Sequence, residues 1–115
     1  MEESILSSIK KLLGLPEEYK QFDVDVIMHI NTVFMILNQL GVGPDNGFRI
    51  TDEATTWSEY LSEDSNLDGV RTYMYLKVRT FFDPPQNSTL MDSINKQAEM
   101  LEFRLNVNAE NGKEG

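Results

Sequence analysis

The sequence runs to 115 residues and carries 19 acidic against 10 basic side chains, a formal charge of −9 at pH 7. That length is one domain, able to bury roughly 65% of its extended surface in a single core. The acidic excess argues against nonspecific attachment to nucleic acid or to an anionic membrane surface, since both need lysine and arginine in excess.

A hydrophobic content of 40% and a charged content of 25% belong to a folded chain rather than a disordered one. With no cysteine, neither a disulfide framework nor a thiolate zinc site can form, which suits an intracellular product. The opening MEESILSSIKKLLGL begins acidic, without the basic leader of a secretory signal. No apolar run approaches the roughly 20 residues that span a bilayer.

Ile5, Leu6, Ile9, Leu12 and Leu13 predict a short amphipathic helix over residues 3–13, stopped by a left-handed Gly14 and by Pro16. The central expectation is the helix 23–40, DVDVIMHINTVFMILNQL, against which the rest should pack. Val26, Ile30, Val33, Leu37 and Leu40 share one face, while Met28, Phe34, Met35 and Ile36 spread apolar surface onto others. A helix apolar nearly all round must be covered by other elements or by another chain. Asp23 is positioned to cap it, with Phe22 stapled onto Ile27.

Gly41 ends that helix, and Gly43 to Gly47 form a turn cluster. A brief alternation at Phe48–Thr51 is compatible with a short extended segment. Thr56-Trp57-Ser58-Glu59 matches a capping box and predicts a helical turn or two through Leu61. Between Arg49 and Arg71 lie six acids, Asp52, Glu53, Glu59, Glu63, Asp64 and Asp68, with no basic residue. So long a connection in a small domain reads as a binding or assembly element.

Ser65 and Asp68 suggest another capping arrangement, opening a helix over 67–82 with an inner stripe of Leu67, Val70, Met74, Val78 and Phe81. Asp83-Pro84-Pro85 breaks it. A last helix follows from Asn87 or Ser88 to Leu105, with Met91, Ile94, Ala98, Leu101 and Leu105 as a near-heptad seam. The expected fold is all-α: a roughly up-and-down four-helix bundle, with a long acidic loop containing a short helix between helices 2 and 3. Residues 1–107 make a single helical domain, and 108–115 a flexible polar tail.

Catalytic signatures are lacking. His29 is the only histidine, and Asp25 one turn earlier is its sole available orienting carboxylate. Asp23 and Asp25 read as helix-start acids rather than cation ligands, and Asp45-Asn46-Gly47 as a turn rather than a calcium loop. No P-loop or dinucleotide fingerprint occurs, so neither a cofactor nor a metal is expected. Arg71, Tyr75 and Arg79 recur every fourth residue, as a solvated helix face or as a docking ridge. Paired with Asp52, Glu53, Glu59, Glu63 and Asp64 of another copy, that ridge is a candidate self-interface, because head-to-tail contacts close into rings. Trp57 reads as a pin holding the loop on the bundle, the alternative being an aromatic offered to a neighbour.

Ile27–Pro44 (IMHINTVFMILNQLGVGP), Tyr73–Pro85 (YMYLKVRTFFDPP) and Leu101–Val107 (LEFRLNV), in order within 5–107, resemble the small head–tail connector proteins of tailed bacteriophages and prophages. These adaptor or head-completion proteins come from low-GC Gram-positive hosts. The resemblance implies a noncatalytic, all-helical virion protein at the head–tail junction, made in the host cytoplasm. It implies a ring of its own copies, typically twelve, under the portal protein. That ring extends the DNA channel, DNA passing without specific binding, and offers a platform to the next tail-side connector or stopper; no membrane is involved. The alternative from the residues themselves is a small acidic regulatory or inhibitor protein binding one basic partner. An enzyme would need a convergent set of polar groups that this sequence does not offer.

Overall fold

A computed structural model describes residues 3–61 and 65–114. Five helices follow one another: α1 Ile5–Leu13, α2 Asp23–Gln39, α3 Trp57–Tyr60, α4 Ser65–Phe82 and α5 Ser88–Glu114. The described residues contain no strand, only one isolated antiparallel bridge between Ser4 and Thr56. The fold is the all-α bundle with a short helix in its long loop.

The hub is α4 rather than the expected 23–40 helix. It packs against α1, α2 and α5, while α2 packs against α1 and α4. Val70, Tyr73, Met74 and Val78 of α4 are fully buried. They meet Ile5, Leu6 and Ile9 of α1 and Val26, Ile30, Val33 and Leu37 of α2 in one core. The expected α4 stripe is corrected at its end: Phe81 is exposed and Phe82 packs on the core instead. Phe81 serves as a lid over the His29 ring, with centroids 5.7 Å apart.

Local signals account for the helix ends. Ser4 Oγ accepts from the Ser7 amide at 3.2 Å, and Gly14 closes α1 at φ 83°. At the start of α2 the expected cap is not formed: Phe22 occupies that position, and no side chain bonds the free amides. Asp23 turns instead toward Lys10, whose Nζ lies 2.8 Å from Oδ1. That contact falls outside hydrogen-bonding angles and is an ion pair only. Lys10 Nζ also donates to the carbonyls of Glu17 at 3.0 Å and Tyr19 at 2.7 Å. A buried ammonium persists only with such a full set of acceptors. The pairing fixes the α1–α2 connector against both helices.

Residues 48–51 form no strand, but Asn31 treats Ile50 as one would. Its side-chain amide donates to the Ile50 carbonyl at 2.9 Å and accepts from the Ile50 amide at 2.8 Å. Phe34, Phe48 and Tyr60 then stack the loop on α2, with centroids from 4.6 to 5.1 Å apart. Gly43, at φ 88°, passes so close that a Cβ there would sit 2.6 Å from the Tyr60 ring.

Helix α5 continues past Leu105, its expected end, because the stripe itself continues: Ala109 packs on the core and Asn106 Nδ2 donates to the Leu40 carbonyl at 3.1 Å. Tyr73 of α4 ties α5 in from the other end of its side chain, donating to Glu102 at 2.7 Å.

Burial pushes the phenols of Tyr60 and Tyr73 above the ordinary tyrosine range, and for Tyr73 the bond to Glu102 and its negative charge add to the effect. Both protons are held more tightly folded than unfolded. Stability from these groups is therefore complete below about pH 10 and falls as pH rises beyond it. Urea titrations should show a constant midpoint from pH 8 to pH 10 and a decline above, which the double variant Tyr60→Phe/Tyr73→Phe largely removes.

Candidate assembly surface

The three ridge residues lie on one line of α4, all half-buried, beside the C-terminal turn of α1. Two shallow grooves meet there around the exposed side chain of Leu12, which was expected in the α1 core stripe. One, of about 350 Å³, runs from Asp68 past Arg71 to Tyr75. The other, of about 270 Å³, runs from Tyr75 past Arg79 to Asp83. The ridge thus has an acid at each end, and its charge is not evenly available.

Arg71 is engaged within the chain. Its Nη2 reaches both carboxylate oxygens of Glu3 at 2.8 and 2.9 Å, and its guanidinium lies 5.8 Å from the centre of the Trp57 ring. Arg79 Nη1 donates to the neutral Tyr75 hydroxyl at 3.2 Å and forms no ion pair among the described residues. Of the two arginines, Arg79 is the one offered outward.

The acids expected to complement them are also used locally. Asp52 accepts from the Ala54 amide, two residues on, at 2.8 Å and closes a tight turn. Glu53 pairs with Lys20 at 2.9 Å, an exposed contact that contributes little to stability. Glu59 completes the predicted capping box, accepting from the Thr56 amide at 2.8 Å. Glu63 and Asp64 lie outside the described residues. All three placed acids remain exposed, so they keep solvent-facing charge while holding the loop's shape.

Trp57 joins the loop to the ridge. Its indole is buried, Nε1 donates to Ser8 Oγ at 2.8 Å, and Ser8 passes the bond on to the Ile5 carbonyl at 3.0 Å. Backbone bonds from Ile5 to Thr55 and from Trp57 to Glu3 flank it at 3.0 and 3.2 Å. The N-terminal strap, the loop and α4 are clasped at this point.

Sequence reasoning did not find Glu3 as the partner of Arg71, nor Ser8 as that of Trp57; each pair is too distant along the chain for spacing to reveal. His29 rests against Phe81 and Phe82, with ring centroids 5.7 and 6.4 Å away. A wider concavity, about 620 Å³, runs along α1 from Glu3 to Glu17. Among the described residues no three acids or histidines are grouped as metal ligands, and no helix is long and apolar enough to cross a membrane.

What such a surface serves follows from kinship. The sequence pattern of a family described as phage connector protein matches residues 5–112. The chain belongs to that family. No curated protein and no solved structure matches it. As a phage connector protein it is a structural part of the virion that associates with other virion components, and clefts and ridges on it are read as contact surfaces first.

In this connector protein, Trp57→Ala should lower the unfolding free energy by about 3–5 kcal/mol, and Ser8→Ala, which leaves the indole in place and removes its hydrogen-bond acceptor, by about 1–2 kcal/mol. Urea unfolding followed by far-ultraviolet circular dichroism measures both. Equal costs for the two variants would show that the bond to Ser8, not the packed ring, holds the clasp.

Proposed function

We propose that copies of this connector protein close into a ring under the portal, join head to tail and lengthen the DNA channel. Family membership over residues 5–112 carries the reading. The portal and the next tail-side connector or stopper are its partners on either side. Action is geometric: identical wedges whose head-to-tail contact repeats until the rotation closes.

Arg79 and the half-occupied Arg71 are the positive element of that contact, with Tyr75 between them. Asp52, Glu53 and Glu59 of the adjoining copy, with Glu63 and Asp64, supply the negative element. A chain with a charge of −9 also presents DNA with a repelling wall, so that it slides without sticking. The ring copy number of twelve belongs to this proposal.

Native mass spectrometry of the full chain, alone and with portal, tests it. A closed oligomer dependent on portal is expected, and Arg79→Glu should weaken its assembly at least tenfold, about 1.4 kcal/mol per contact. Undiminished assembly of an Arg71→Glu/Arg79→Glu chain would remove the charged ridge from the contact. A one-to-one complex with a basic protein, and no oligomer, would replace the ring by the inhibitor reading.

A further inference from the structure

The α2 helix was expected to need covering on most sides, by other elements or by another chain, and within one chain one of its faces stays open. Val24, Met28 and Met35 are 79%, 56% and 58% exposed. They line, with half-buried Ile27 and Thr32, an open groove of about 460 Å³ bordered by Asn31 and Arg49. A second concavity, of about 470 Å³, adjoins it through Asn31, Met35 and Arg49 and continues toward Phe48. Val24, Met28, Asn31 and Met35 follow at four, three and four residues, the spacing of one half of a coiled-coil seam.

The other half is present on the same molecule. On the solvent face of α5, Lys96, Met100, Phe103 and Val107 repeat the same four-three-four spacing. Met100 is 50% exposed and Phe103 70%. An aromatic so far out in water is the kind of anchor that fills pockets at interfaces. Both stripes are exposed in the single chain, so they do not cover each other there.

Charge selects the occupant. Arg49, on the rim shared by both concavities, is exposed, and α5 carries exposed Glu99 one turn before Phe103. Exposed Asp25 stands beside the α2 stripe, and Lys96 and Arg104 within or beside the α5 stripe. None of these five makes an ion pair within the chain among the described residues. Each face therefore offers one acid and at least one base matched by the other. Two strongly acidic molecules can approach only where such local pairs offset their mutual repulsion.

We infer that the Val24–Met28–Met35 face of α2 receives the Met100–Phe103 face of α5 from a second copy of this chain. The contact is heterologous, one helix face against a different one, and thus of the type that propagates and closes into rings. It supplies the apolar centre that a charged rim alone lacks. The inference rests on the ring reading and names which surfaces meet in it.

Because the natural chain has no cysteine, single cysteines report the contact directly. A Met28→Cys chain and a Phe103→Cys chain, mixed in equal amounts with portal and treated with a short bis-maleimide, should give a mixed covalent dimer. Its yield should exceed at least tenfold that of a control mixture of Met28→Cys with Thr89→Cys, at an exposed position in the first turn of α5. Rings that form by mass without this mixed dimer overturn the α2–α5 contact and leave the ring standing. Neither ring nor mixed dimer at any concentration overturns both readings. A Phe103→Cys chain that couples to portal or another virion protein, and not to Met28→Cys, overturns the second copy as occupant.

Discussion

One buried indole stands at the meeting point of three parts of this connector protein. Trp57 lies in a long connection whose own backbone makes no strand, yet its ring fills the space beside α1 and its Nε1 finds Ser8. The Arg71 guanidinium covers the indole and grips Glu3 in front of it. The strap before α1, the loop and the hub helix α4 therefore share a single joint. Away from this joint the loop is held on α2 by Asn31 and the Phe34–Phe48–Tyr60 rings.

That joint alters how the charges are to be understood. A ridge of two arginines and an acidic loop look, along the sequence, like free surfaces awaiting each other. In the fold Arg71 is half spent on Glu3, Glu59 on its own helix start, and Asp52 on a turn. What remains outward is Arg79, the solvent-facing charge of the loop, and two apolar faces on α2 and α5. A surface of this kind suits a structural part whose neighbours are other proteins, which is what membership of the phage connector family implies.

The bundle was largely legible because its signals are local. Helix stops at Gly14, Gly41 and Asp83-Pro84-Pro85 and the capping box at Thr56–Glu59 act within a few residues, and the stripes of α2 and α5 need only helical periodicity. The misreadings were tertiary. Asp23 does not cap α2, because Lys10 draws its carboxylate. Phe82 replaces Phe81 on the core, with Tyr73 added, because α4 is covered on three sides and its inward face is broader than one stripe. Leu12 was read as core and sits exposed between two grooves. The partners of Lys10, Trp57 and Arg71 come from distant turns, and no spacing rule reaches them.

Where the protein sits in the particle decides whether it works as a ring. Cryo-electron microscopy of purified virions, reconstructed around the head–tail junction, examines this most directly. A closed ring of this chain between portal and tail, acidic residues toward the channel, is the expected result. A junction built without the chain, or the chain found bound singly to some other protein, would contradict the ring.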